Sequence, residues 1–143
     1  MVLSQITGAD VCEVQDGSLW GEFTAYHPRA TEMLALISGG PLQVGFVDTH
    51  GNAFIDILNP GDITIFPRGM MHFEANVGKE EANFISALNS QNPGVMPSSV
   101  SIMKLPSIAV AAAFNISQRD VNKLESRIYC SGIGLKLMPG CGV

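Results

Sequence analysis

The stretch Gly61-Asp62-Ile63-Thr64-Ile65-Phe66-Pro67-Arg68-Gly69-Met70-Met71-His72-Phe73-Glu74-Ala75-Asn76 decides how the rest of the chain is read. Ile63–Phe66 is a short β-branched and aromatic run, broken by the turn residues Pro67-Arg68-Gly69 before a second run opens at Met71. A strand, a tight turn and a second strand are expected, with His72 near the start of the second. Pro67 and Gly69 make the turn that aims that strand. Upstream, His27-Pro28-Arg29-Ala30-Thr31-Glu32 sets an imidazole and a carboxylate around another turn, ahead of Gly39. Strand pairing could bring His27, Glu32 and His72 to one point. Two imidazoles and one carboxylate suit Mn, Fe, Ni or Zn.

Outward from this stretch, the chain from Leu19 to Leu88 is short strands separated by turns, with no long helical periodicity. The expected strands are Leu19–Ala25, Glu32–Ile37, Leu42–Val47, Ala53–Leu58, Ile63–Phe66, Met71–Val77 and Asn83–Leu88. The breaks hold turn residues: Gly39-Gly40-Pro41, His50-Gly51-Asn52, Asn59-Pro60-Gly61-Asp62 and Gly78-Lys79. Closely spaced strands of this kind point to an all-β barrel or sandwich. Most of Trp20, Phe23, Phe46, Phe54, Phe66, Phe73 and Phe84 should fill its core. His50, in a polar hairpin turn, reads as a solvated loop residue.

Beyond Asn92-Pro93-Gly94 the pattern changes. Residues 95–106 read as a loop and helices are expected only after residue 100. Ser107–Phe114 is a short apolar helix with no polar face. Ser117 caps a second helix with Asp120 three residues on, and Val121, Leu124 and Ile128 form its apolar stripe. The same capping role explains Ser117 better than the glycosylation sequon Asn115-Ile116-Ser117 does. Three divisions follow: an N-terminal arm over 1–18, a barrel over 19–95, and a loop with a helical tail over 96–143. The tail packs on the barrel or on a neighbouring subunit.

The chain has 143 residues, 46% hydrophobic and 15% charged, which suits one folded domain rather than a disordered segment. A net charge of −5 argues against nucleic acid or an anionic membrane as partner. The sign is uneven, with residues 1–100 acidic and residues 101–143 basic. No run approaches the ~20 apolar residues of a membrane span. Met1 to Asp10 lacks the pattern of a signal peptide, so a cytoplasmic location is expected, or an extracellular one if a leader has been removed. Cys12, Cys130 and Cys141 leave one thiol unpaired in any scheme and read as free thiols.

Taken together, these residues resemble the cupin superfamily, and its germin-like branch in particular. That branch carries the motifs G-x5-H-x-H-x3,4-E-x6-G and G-x5-P-x-G-x2-H-x3-N. Gly61, Pro67, Gly69, His72 and Asn76 match the second at every position, and Glu32 followed by Gly39 matches the end of the first. Leu88-Asn89-Ser90-Gln91-Asn92-Pro93-Gly94-Val95 is similar to the segment that leaves the germin barrel. The resemblance covers roughly residues 19–130 and implies a jelly-roll barrel with a helical tail. It also implies a manganese site held by three histidines and a glutamate, with oxalate oxidase or superoxide dismutase activity. Here the first histidine of H-x-H falls on Ala25, which has no donor atom. The germin N-terminal cysteine pair is also absent, since only Cys12 lies near it.

His27, Glu32 and His72 are therefore the candidate catalytic residues and, where a metal is retained, its three ligands. Mn, Fe or another divalent ion would suit them, although no cofactor is required by the sequence. Tyr26, Arg29, Phe66, Met70 and Asn76 are the candidate pocket residues, with Arg68 a second loop cation beside the site. The favoured function is binding and transformation of a small organic molecule in the barrel, by isomerisation, dehydration or cyclisation, without the usual four-ligand site. A manganese- or iron-dependent oxidoreductase using three protein ligands is the alternative, and a non-catalytic binding or storage protein is another. A homo-oligomer built from dimers or trimers is expected, because the tail helices need a surface to bury against.

Overall fold

A computed structural model describes Val2–Ile6, Trp20–Gly21 and residues 24–130. Cys12, Phe23 and Cys141 lie outside the described residues, as do the side chains of Trp20, Ile128 and Cys130. The strands are β1 (Val2–Ile6), β2 (Trp20–Gly21), β3 (Ala25–Tyr26), β4 (Glu32–Val47), β5 (Ala53–Leu58), β6 (Ile63–Phe66), β7 (Met71–Leu88) and β8 (Met96–Pro97). The helices are α1 (Ser98–Met103), α2 (Ser107–Phe114) and α3 (Gln118–Cys130). The chain divides into two units, Met1–Ser98 and Ser99–Val143.

All strand pairing in the first unit is antiparallel and is built on β4 and β7, consistent with a jelly-roll barrel. The first half of β4 and the second half of β7 pair with each other and carry β6 and β1 on their outer edges. The second half of β4 and the first half of β7 carry β5 on one side and β2, β3 and β8 on the other. Four expected strands are thus two long ones. Gly39-Gly40-Pro41 does not end the strand; it bends it, with register shifts between Leu36 and Leu42. Gly39 and Gly40 take positive φ, and a Cβ on Gly78 across the bend would run into the Gly40 carbonyl. A bend needs backbones this close, and only glycine permits it.

Side chains alternate across these strands, so one face of each is the core. Leu34, Leu36, Leu42, Val44, Leu58, Phe66 and Ala82 form it, with Phe46 and Phe84 packed against it. Truncating a buried leucine such as Leu34 would cost ~2–5 kcal/mol. Phe54 departs from the expected core set: it lies on edge strand β5, half exposed and stacked on Phe46. Phe73 faces outward, over the space that Gly45 leaves by having no Cβ.

Three features differ from expectation at the ends. Val2–Ile6 is a strand paired with Phe84–Leu88, although the sequence reads as an arm. Residues 98–103 are helix rather than loop, so helix begins two residues ahead of the expected limit. Six residues are too few to show a helical period, and a long-range bond from the Ser98 N–H to the Thr24 carbonyl (2.8 Å) fixes where this helix starts. In the second unit α2 spans Ser107–Phe114 as expected and closes at Asn115, which adopts the left-handed conformation. The Ser117 hydroxyl caps α3 by accepting from the Asp120 N–H at 3.2 Å, and it donates to the Asp120 carboxylate at 2.6 Å. No helix among the described residues is long and apolar enough to cross a membrane.

Candidate metal centre

The loop 27–31 reaches its shape through bonds to two distant segments. The Gly69 N–H donates to the His27 carbonyl at 2.9 Å, and the Arg68 N–H donates to the Thr31 hydroxyl at 3.2 Å. On the other side the Arg29 N–H bonds the Pro93 carbonyl, while Thr31 and Asn89 exchange two bonds. The Pro67–Met70 turn therefore holds the His27 loop while it launches the strand that carries His72. Gly69 takes φ +76°, a conformation that favours glycine.

Glu32 opens β4, His72 is the second residue of β7, and His27 follows β3 directly. All three are buried, at 6%, 3% and 8% exposure. His27 Nε2 lies 2.8 Å from Glu32 Oε2, and His72 Nε2 lies 3.5 Å from the same oxygen. Among the described residues these three form a group whose donor atoms all lie within 4.8 Å of one another. Phe66 stacks on the His72 ring, with centroids 4.5 Å apart, and fixes its plane.

The opposite edges of both rings decide the chemistry. His27 Nδ1 lies 2.6 Å from the Gly94 carbonyl and His72 Nδ1 lies 3.0 Å from the Met70 carbonyl. A carbonyl oxygen only accepts, so the hydrogen is assigned to Nδ1 in each ring. A neutral imidazole then presents a lone pair at Nε2, and both lone pairs point toward a carboxylate oxygen. Three acceptors cannot share a buried site without a cation. A bound divalent ion, or a proton held between His27 Nε2 and Glu32 Oε2 across their 2.8 Å contact, supplies it.

The Glu32 carboxyl shows the balance of forces. Burial alone raises its pKa, but hydrogen bonds with His27 and His72 and the charge on His27 outweigh that and pull it from 4.5 to about 2. The Ser86 hydroxyl, on the same wall, adds to the lowering. It makes no hydrogen bond of ordinary geometry, so its part is a weaker dipole.

The donor set fits a divalent ion. Neighbouring ligands about 2.1 Å from one ion stand roughly 3 Å apart, and the observed separations from the shared oxygen are 2.8 and 3.5 Å. Carbonyl bonds at the far nitrogen are also how metal-ligating histidines are commonly held. Position 25 supplies no fourth donor: Ala25 stands directly opposite His72 in the β3–β7 pairing and offers a methyl group.

The expected pocket residues divide. Phe66 is at the site, and Met70 serves it through its carbonyl. Asn76 shares the His72 face, but its amide closes the 76–80 turn by bonding the Glu80 carbonyl and the Gly78 N–H. Tyr26 pairs with Met96 and, one residue beyond Ala25, turns to the other face. Arg29 is exposed and bound to Asn92 by two 2.7 Å bonds, so the structure does not bring it to the site. Arg68 is exposed as well, and His50 lies in a hairpin organised by the Asp48 carboxylate. Sequence reasoning missed Glu74, which is 4% exposed and two residues beyond His72. Strand alternation from His72 would have found it. Nothing in the sequence marks the Gly94 and Met70 carbonyls.

Residues 23–122 match the Cupin family profile. The chain belongs to the cupin family. Within it the chain is germin-like: it is 39% identical over 104 residues to germin-like protein 2-4 of Oryza sativa subsp. japonica, covering 71% of this chain and 45% of that protein. This cupin spans about half the length of the curated relatives it matches. Recombinant oxalate oxidase in complex with glycolate superposes with a TM-score of 0.74 at 24% identity, over 91% of this chain and 73% of that one. Oxalate decarboxylase of Bacillus subtilis, with its Mn(II) centres, superposes at 0.61 and 21% identity over 74% and 30%. At these identities the superpositions show the shared fold.

Proposed function

We propose that this germin-like cupin binds a divalent metal ion through His27, Glu32 and His72 and uses the site to bind and transform a small organic molecule. One observation carries the reading. Both imidazoles are locked by backbone carbonyls at Nδ1, which aims both Nε2 lone pairs at one buried carboxylate. Mn(II) or Fe(II) suits such a set, and the Mn(II) centres of the decarboxylase with the same fold support that choice. When bound, the ion would supply a Lewis acid and, for Mn or Fe, a redox-active centre.

The chain's own residues do the rest. Glu32, with a pKa near 2, is a poor proton acceptor at neutral pH, where a general base works best near pKa 7. Its role is that of a fixed anion. Phe46 and Phe66 flank His72 and would present an apolar wall to the substrate, and the methyl group of Ala25 leaves the opposite side without a donor.

The 2.8 Å ion pair between His27 and Glu32 also gives the metal-free reading specific support, since that pair is complete without an ion. In that case His27 or His72 carries the proton transfers. Elemental analysis of protein purified without chelator, followed by Mn(II) titration of the wild type and His72→Ala, separates the two. Removing one ligand of three should weaken binding by at least the ~10–100-fold that losing an outer-shell partner costs. Equal titrations would end the metal reading.

A further inference from the structure

Ser86 is a buried polar side chain to which the three-residue cluster gives no direct part. It lies on β7 opposite Leu34 of β4, while Glu32 stands opposite Leu88. Glu32 and Leu34 are two residues apart and share one strand face, so Ser86 and Glu32 are diagonal neighbours on the inner wall. Diagonal Cβ atoms stand roughly 7 Å apart, a gap that a glutamate side chain can cross toward a serine. Ser86 is 2% exposed, and its hydroxyl has no hydrogen-bond partner of ordinary geometry. Alternation turns Phe84 and Leu88 of β7 to the same face, and Leu34 and Leu36 line it from β4. Among these β4 and β7 neighbours only the Glu32 side chain can accept a hydrogen bond. An alanine would fill the same space without burying a hydroxyl, and a buried hydroxyl left unpaired costs its full desolvation. A serine at this point therefore calls for a partner.

The carboxylate offers one. The contacts of both imidazoles with Glu32 meet at Oε2, and neither of these contacts uses Oε1. The Ser86 dipole already contributes to the lowered pKa of Glu32 from where it stands. A serine has three staggered rotamers, so a change in one torsion can bring its hydroxyl to the carboxylate. We propose that Ser86 is a positioning residue for Glu32, whose hydroxyl donates to Oε1 and fixes Oε2 as the oxygen turned to the two histidines and to an ion held with them. The inference deepens the proposed metal centre and rests on it. A carboxylate tethered at one oxygen coordinates through the other alone and so takes a single position on an ion. That keeps positions open for a small molecule in a site where Ala25 supplies no fourth donor.

The experiment compares the wild type with Ser86→Ala, which deletes the hydroxyl, and Ser86→Thr, which keeps it. Thermal melts with chelator present check the fold of each. Mn(II) titration by calorimetry is the deciding measurement. Ser86→Ala should bind Mn(II) roughly 10–100-fold more weakly, the usual cost of losing an outer-shell partner, and Ser86→Thr should keep most of the wild-type affinity. A purely structural serine would lower the melt of the ion-free protein and leave the Mn(II) affinity unchanged. Equal affinity in Ser86→Ala overturns the proposal, and so does an equal loss in a folded Ser86→Thr. If the wild type takes up no Mn(II), the metal-centre reading fails by itself. A double-mutant cycle of Ser86→Ala with Glu32→Gln, unfolded in urea at pH 7 with chelator, then decides whether the bond exists. The same cycle decides if the threonine variant does not fold. A coupling of roughly tenfold in the unfolding constant, as for a hydrogen bond to a charged group, supports the bond, and additive effects overturn it.

Discussion

The acid response of Glu32 tests the electrostatic account of the site without any assumption about substrate. Its folded pKa is depressed from 4.5 to about 2. A group depressed in the folded state contributes stability that is fully present above pH 4.5 and is lost as the pH falls through 2. The size follows from the shift at 1.36 kcal/mol per unit, about 3 kcal/mol. The side chain is 8% exposed, so solvent screening takes little away. That is a large part of the ~5–15 kcal/mol of a typical domain. The perturbation is Glu32→Gln, which removes the titration and keeps the shape. Urea unfolding with chelator present, at intervals from pH 7 to pH 2, would give both stability profiles. Other carboxylates titrate in both proteins, so the difference between the profiles isolates Glu32. The wild type should lose about 3 kcal/mol more than the variant between pH 5 and pH 2. Parallel profiles would show that His27 and His72 do not stabilise the Glu32 anion, and the reading of the three residues as one coupled cluster would fall.

Two further outcomes are expected. Ala25→His places an imidazole directly across from His72, on the same face, with Cβ atoms ~5 Å apart. Mn(II) affinity should then rise at least tenfold, the ~1.4 kcal/mol of one modest ligand gain; equal titrations would mean that position 25 does not face the ion. Self-association is expected as well, because Met33, Ile37, Ile63, Ile65 and Ile85 expose an apolar face on the outer side of the barrel. In α2, Ile108 and Phe114 are exposed too, and residues 101–143 are basic against an acidic 1–100. Multi-angle light scattering at micromolar concentration should report more than a monomer, and a monomer alone would refute it.

How legible the molecule was in its sequence differed by feature. Strands β5 and β6 run over Ala53–Leu58 and Ile63–Phe66, the expected spans, because alternation and turn residues are local signals. The bend in β4 was not legible. Gly39-Gly40-Pro41 has turn composition, and only the close approach of Gly78 across the pairing shows that the strand continues through it. The three residues that converge could be named because the resemblance put them in two spaced motifs, whereas the placement of Arg29 could not be read, since its loop folds onto Asn92, 63 residues away.

By itself, the sequence determined the β-rich core, the apolar helix Ser107–Phe114 and the identities of His27, Glu32 and His72, since side-chain type and short spacing carry that information. The tertiary structure alone decided what those residues can do. His27 owes its tautomer to the Gly94 carbonyl, 67 residues along the chain, and His72 owes its own to the Met70 carbonyl. Every residue has a carbonyl, so no letter marks the one that is used. Folding also made Glu74 a buried neighbour of the site, because burial depends on what the opposite strands cover. A carboxylate's charge is written in the sequence; what surrounds it is set when β4 and β7 pair.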